Sequence, residues 1–438
     1  MRYVSIFSIA LLFFCCTASG QLSPLATTQT GQNSAPLTLQ EVIQRAKANS
    51  PEYLAAQAEF GLAREDRVQA RAALLPNITY NNQFLYTEGN GTPSGRFIAN
   101  NAVHEYVSQG NAHEVISLAQ FATFRRTAAA EAVARARAEI ASRGLVLTAV
   151  DDFYALLAAQ RKFTNADTAM TEALNFFNLS KKLEAGGEVA HADVLKAQIQ
   201  YNDRSRDLQE AALALLRSKL GLAVLIFPNL HSEFTVLDDL DQAPDLPQFP
   251  QVEQEAIESN PELRAALASV QASHQDVIAS RAEHLPELQL DYFYGIDSTH
   301  FAVRTDGIRN LGYAATATLS IPIFSWGATQ SRVRQSEIRE RQSKVVLSAT
   351  QRQVLANIQI FYKEAQAASV ELAALRQTMD LASESLRLTT LRYQAGESTV
   401  LEVADAQNTL VTARDAYADG SARYRVALAN LQTLTGTL

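Results

Sequence analysis

Tyr393-Gln-Ala-Gly-Glu-Ser-Thr-Val-Leu-Glu-Val-Ala-Asp-Ala-Gln407 interrupts two long helical runs with a single glycine, Gly396. It then sets Glu402 and Asp405 three residues apart, a spacing that puts both carboxylates on one face of a helix. An earlier stretch answers it: Leu183-Glu-Ala-Gly-Gly-Glu-Val-Ala-His-Ala-Asp-Val-Leu-Lys-Ala-Gln198. Asp193 follows Gly187 at the distance at which Glu402 follows Gly396, and Val194, Ala197 and Gln198 recur as Val403, Ala406 and Gln407. A helix-glycine-helix hairpin is used twice.

The correspondence spreads outward from these hairpins. Asn49-Ser-Pro51-Glu52 matches Ser259-Asn-Pro261-Glu262, and Leu75-Pro76 matches Leu285-Pro286. The offset is 210 at both prolines and 209 at the glycines (261−51, 286−76, 396−187). A register held over so much chain predicts an internal two-fold repeat. The first copy is expected over 37–221, with its hairpin tip at 186–187. A connector is expected over 222–250, and the second copy over 251–438 with its tip at Gly396.

At 438 residues, with 19% charged residues and a net charge of −8, the chain is not built to hold nucleic acid. Residues 1–20 read as a secretory signal. Arg2 supplies the positive end, Val4 to Cys16 the apolar core, and Ala18-Ser-Gly20 the cleavage site. A lipoprotein would need a small residue before the modified cysteine, whereas Phe14 precedes Cys15 and Cys15 precedes Cys16, which opposes that reading. Both cysteines fall inside the signal, so the mature chain is expected to carry no disulfide. Beyond it no run is long and apolar enough for a membrane-spanning helix. Residues 21–36, rich in Thr, Gln, Ser and Pro, read as a disordered leader.

Helices dominate the rest of the chain. Thr38 with Glu41 forms a capping box for the first, and Pro51 opens a second that runs to about Leu75. From Ala328 to Ala395 there is neither glycine nor proline, and Thr127 to Ala185 contains only Gly144. Runs of this length predict coiled-coil packing, and the abundant alanines (Ala128, Ala132, Ala136) permit close approach. The connector carries Pro228, Pro244, Pro247 and Pro250, with one short strand expected at Glu233 to Leu237.

After Pro76 the period changes to two. Ile78, Tyr80, Phe84 and Tyr86 alternate with Asn77, Thr79, Asn81 and Gln83. After Pro286, Leu288, Leu290, Tyr292 and Tyr294 alternate with Glu287, Gln289 and Asp291, and a further alternation begins at Tyr313. Strand pairs are expected at about 77–124 and 287–324, the partner strand of the first half lying within His104 to Phe124. Polar loops, Glu88 to Gly95 and Asp297 to Gly312, separate the strands. The pattern suits half-buried strands of a soluble sheet or membrane strands of about 9–11 residues with the apolar side outward. Under the second reading Thr79, Asn81, Gln289 and Asp291 face a polar, cation-preferring lumen. Four strands cannot close a barrel, and open edges are not tolerated in lipid. Two chains would give eight strands and a filled interior, and three give twelve and a pore.

With the Ile321-Pro-Ile-Phe-Ser-Trp-Gly327 stretch added, the chain resembles the TolC-like outer-membrane efflux family from about Leu37 onward. The resemblance implies a mainly α protein with membrane β. It would be a homotrimeric export channel, each chain giving four strands to a shared 12-stranded outer-membrane β-barrel and long helices to a periplasmic α-barrel. It also implies an inner-membrane transporter and a periplasmic adaptor (membrane fusion) protein as partners, outer-membrane lipid around the barrel, and no cofactor. The adaptor would dock at the hairpin tips, Gly187, Glu188, Gly396 and Ser398. The family's periplasmic gate falls on Tyr393, Asp193, Glu402 and Asp405, and we expect a hydrogen bond from Tyr393 to Asp193. The arginine that the best-known member carries two residues after the glycine is Ser398 here, so an arginine-linked lock is not expected.

Other chemistry is poorly supported. Seven histidines, among them His104, His113, His191 and His231, include no close i, i+4 pair of the zinc-hydrolase kind. Neither a nucleophile elbow, a P-loop nor a dinucleotide fingerprint is present. Trp326 reads as an interfacial anchor. No enzyme and no metal site is expected. The alternatives to a channel are a periplasmic coiled-coil adaptor or scaffold without a barrel, and a secreted hydrolase.

Overall fold

The computed structural model describes residues 36–86, 104–229, 233–242, 244–298 and 311–436. The expected signal, nearly all of the leader, the loop at Glu88 to Gly95, most of the second loop and His231 lie outside the described residues.

The chain begins with α1 (Leu39–Asn49), α2 (Pro51–Ala72), β1 (Asn77–Tyr86), β2 (His104–Ile116), α3 (Leu118–Ala185) and α4 (His191–Ile226). The same order then recurs as α5 (Phe249–Ser259), α6 (Pro261–Ala282), β3 (Glu287–Ser298), β4 (Leu311–Ser320), α7 (Ala328–Gln394) and α8 (Val400–Thr435). Local chemistry sets the starts. Thr38 and Glu41 form the capping box. The Ser50 hydroxyl and the Asn260 carboxamide oxygen accept from the third residue of α2 and α6, behind a proline that needs no donor at the first helical position. The long helices have 68 and 67 residues, about 100 Å each at 1.5 Å per residue.

Such a slender bundle has no single globular core. Its largest apolar cluster lies midway along α3, where Phe153, Leu157, Leu222 and Ile226 meet Val42 of α1 and Phe234 and Leu240 of the connector. The strand expected at Glu233 to Leu237 is reduced to one parallel bridge between Leu37 and Val236. Among the described residues Leu37 alone pairs with it: its N–H donates to the Thr235 carbonyl at 2.8 Å, and its own carbonyl accepts from Leu237 N–H at 3.0 Å. Elsewhere the helices pack through small residues, including buried Ala169 and Ala173. α7 approaches α8 closely at Gly420, where an added Cβ would lie 2.5 Å from Leu375 Cδ1.

Arg143 of α3 ties the end of the chain to this frame. Its guanidinium donates to the Thr433 carbonyl near the C-terminus of α8 at 2.7 Å and to the Ser259 carbonyl at the end of α5 at 3.0 Å. A cation there meets two sets of helix-terminal carbonyls at once.

The strands form one antiparallel sheet in the order β1-β2-β3-β4. β2 falls inside the range expected for the first-half partner. β3 and β4 reach slightly into the expected loop, because the ladder continues to the Tyr106–Ser298 and Ile296–Leu311 pairs. The register sorts most side chains by chemistry, with Glu114 opposite Leu290 and Phe293 opposite Asn111 as exceptions. Asn77, His113, Asp291 and Thr316 share one row, and Thr79 pairs with Asn111 and Asn81 with Gln109 on the same face. The opposite face carries Ile78 with Ala112, Tyr292 and Ala315, and Tyr80 with Gly110, Tyr294 and Tyr313. Ile78, Tyr80 and Tyr313 are exposed to 79, 69 and 75%, so this apolar face has no cover among the described residues. One edge of β1 and one of β4 are unpaired in the sheet.

Candidate functional site

The two hairpin tips have the same backbone chemistry. At the end of α3, Gly187 takes φ +77 and its N–H donates to the Glu184 carbonyl, while Glu188 N–H donates to the Leu183 carbonyl. At the end of α7, Gly396 takes φ +75 and donates to the Tyr393 carbonyl, while Glu397 donates to the Arg392 carbonyl. Both are Schellman closures, in which a left-handed residue satisfies the last helical carbonyls and glycine bears no Cβ penalty. Gly187, Glu188 and Gly396 are exposed and Ser398 is half-buried.

The helices leaving the tips start differently. α4 has no side-chain cap, and its first residue, His191, instead meets Glu184 of α3 with Nδ1 2.6 Å from Oε1. α8 is capped by Thr399, whose hydroxyl accepts from Glu402 N–H while the Glu402 carboxylate accepts from Thr399 N–H. The Ser398 hydroxyl donates to the same carboxylate at 2.9 Å. This bond, with those from Thr399, holds the Glu402 carboxyl below the usual range. Glu402 is thus also a helix cap, and the Thr399-x-x-Glu402 pattern is a capping box visible in the sequence. Glu402 and Asp405 both stand exposed on α8.

Tyr393 does not bond Asp193. Its ring is buried 5.0 Å from Phe176 of α3, and its hydroxyl lies 3.2 Å from the Ser180 hydroxyl. Asp193, in the first turn of α4, pairs with Lys196 at 3.2 Å. The reason is apolar: Tyr393 belongs to a cluster with Phe176, Phe177, Val194, Val400 and Val403 that joins the two hairpins. That packing turns its hydroxyl toward α3. No arginine bridges the hairpins at Ser398; Arg392 reaches Glu402 at 3.9 Å, but within one hairpin.

Polar contacts between the hairpins lie farther from the tips. Gln200 and Arg204 of α4 both donate to the Asn408 side-chain oxygen on α8, the former at 3.0 Å. Arg414 faces Glu172 at 3.4 Å, Asn165 donates to Asp415 at 3.0 Å, and Lys162 pairs with Asp419 at 2.7 Å. Burial pushes the Asp415 carboxyl up, and the Asn165 bond offsets this in part. Sequence reasoning missed all of these contacts. Partners hundreds of residues apart leave no local spacing to read.

On the sheet, Thr79 and Asn81 lie on the polar face and are exposed; Gln289 and Asp291 share that face and are half-buried. Trp326 is 90% exposed beside Phe324, past the end of β4. Among the described residues there is no group of three or more metal-ligating side chains. None of the described helices is long and apolar enough to cross a membrane.

A four-stranded sheet with an exposed apolar face is thus carried on paired hairpins of 36 to 68 residues per helix. The family model described as outer membrane efflux protein matches residues 252–437. Alkaline protease secretion protein AprF of Pseudomonas aeruginosa is 25% identical over 89% of this chain and 82% of its own. Outer membrane protein TolC of Vibrio cholerae is 24% identical over 91% of each. The solved structure of the outer membrane protein VceC from Vibrio cholerae superposes with a TM-score of 0.76 at 18% identity, covering 91% of this chain and 96% of that one. The chain is thus similar over most of its length to TolC-like outer-membrane efflux proteins. The family model matches its second half directly, and relatives extend the relationship over about nine-tenths of its length. Its relatives are channels rather than enzymes.

Proposed function

We propose that this chain is an outer-membrane export channel, three copies of which share one 12-stranded barrel in the outer membrane and continue it as a helical tunnel through the periplasm. The observation that carries this is the sheet. Among the described residues its apolar face is uncovered and both edges are open, a state that lipid does not tolerate unless other copies close the ring. Eight strands would enclose an interior filled by side chains, and twelve leave a passage. The repeated element order fits duplication of one unit, with 37–221 and 251–438 as its copies joined by the connector 222–250. The polar faces of the strands, with Thr79, Asn81, Gln289 and Asp291, then line the passage.

In this reading an inner-membrane transporter and a periplasmic adaptor deliver substrate at the far end of the tunnel, where the hairpin tips lie. Tyr393 and its cluster, with Asp193, Glu402 and Asp405 nearby, form the constriction that opens for transport. An adaptor or scaffold without a barrel does not account for the doubled hairpin or the two-faced sheet. Crosslinking of outer-membrane fractions should give a ladder that ends at three chains, and one ending at two would overturn the 12-stranded barrel. Photocrosslinkers at Glu188 and Ser398 should capture the periplasmic adaptor. Capture only from probes at Glu88 or Ser298 would show the tunnel to be inverted.

A further inference from the structure

None of the four strands contains lysine or arginine. Among the strand residues whose side chains are described, the polar face carries three carboxylates, Glu287, Asp291 and Asp297, and one group able to become cationic, His113. His113 and Asp291 stand directly opposite each other on β2 and β3, with imidazole Nδ1 2.7 Å from carboxylate Oδ1. Their side chains remain 37% and 16% exposed, so the pair touches the space in front of the sheet. Its row neighbours are Asn77 of β1 and Thr316 of β4, which do not titrate, and the adjoining rows hold Thr79, Asn111, Gln289 and Thr318. Glu287, four residues from Asp291 on β3, is the nearest further carboxylate along that face, and Asp297 lies toward the opposite end of the strand.

We propose that the His113–Asp291 pair is a selectivity element of the channel that makes its cation preference depend on pH. The proposal rests on the reading that the polar face of the sheet lines the passage. Histidine is the side chain whose charge changes between about pH 5 and 8. With the imidazole protonated, the pair carries no net charge. When the proton leaves, Asp291 remains as an uncompensated carboxylate on a wall that holds no other described cation. In a pore, a wall charge concentrates ions of opposite sign. The three copies therefore change the charge of one ring of the barrel together, and cation preference rises with pH.

The test uses the full-length channel in planar bilayers under a KCl gradient. For the wild type, the potassium-to-chloride permeability ratio should rise about twofold or more between pH 5 and 8. His113→Gln should remove this step and hold the ratio near its high-pH value. Asp291→Asn should keep the step but start from a lower ratio. A His113→Gln channel that retains the wild-type step overturns the proposal. The underlying face assignment is checked separately. A charged thiol reagent should lower conductance through Thr79→Cys and not through Tyr80→Cys. If Thr79→Cys responds and the histidine variant is unchanged, the pair is refuted while the lumen assignment stands. A response from Tyr80→Cys alone refutes the lumen assignment itself.

Discussion

The hydroxyl of Tyr393 sits 3.2 Å from that of Ser180, which joins the inner ends of the two hairpins through a neutral hydrogen bond within an apolar cluster. A bond of this kind contributes about 0.5–1.5 kcal/mol, less than one to a charged partner. Tyr393→Phe and Ser180→Ala should therefore each raise single-channel conductance modestly and to a similar degree. Asp193→Ala should leave it near the wild-type level, because its partner is Lys196 on its own helix. A large effect of Asp193→Ala with none from Tyr393→Phe would reverse this assignment.

Asn408 gathers two donors from the other hairpin, Gln200 and Arg204. Its removal leaves a half-buried guanidinium with one acceptor fewer, a loss of about 1–3 kcal/mol. Asn408→Ala should raise conductance more than Tyr393→Phe does. Replacing both Glu402 and Asp405 with Ala should instead weaken cation preference and block by multivalent cations, and should loosen the α8 cap at Thr399. Conductance and selectivity in planar bilayers, with hydrogen exchange over 399–405, separate the two effects.

The two faces of the sheet should respond differently to the same charge. Leu290 lies on the apolar face and Gln289 on the polar one. Leu290→Arg should cost about 2–4 kcal/mol near mid-bilayer and lower the yield of folded protein in outer-membrane fractions. Gln289→Arg should fold and change conductance. Equal loss of both would show that the apolar face does not meet lipid.

The connector is strapped to the helices by charge. The Arg161 guanidinium donates to Asp238 and Asp241, and Arg425 pairs with Asp239. Hydrogen bonds from Arg161 hold the Asp241 carboxyl below its usual range. A carboxyl depressed in the folded state contributes stability above its unfolded pKa and loses it as pH falls through the folded value. The strap should therefore hold at neutral pH and loosen in acid, below the ordinary aspartate range of about 4. Hydrogen exchange over 233–242 should be faster in Arg161→Ala at pH 7, approaching that of the wild type in acid.

What the sequence determined by itself was local or periodic. Gly187 and Gly396 could be read as tips because a Schellman closure needs a left-handed residue at a fixed place. Ser50-Pro51 and Asn260-Pro261 could be read as helix starts because cap and proline act within one turn. The alternation after Pro76 and Pro286 assigned each side chain to a face before any strand was paired, since period two leaves only two choices. The tertiary structure decided what depends on distant partners. The strand expected in the connector became a single bridge because its partner among the described residues is Leu37 alone. Tyr393 chose Ser180 over Asp193 because burial against Phe176 outweighed the pull of a carboxylate that Lys196 already satisfied. His113 met Asp291 only once the β2–β3 register was set, since nothing in either strand alone names its opposite residue.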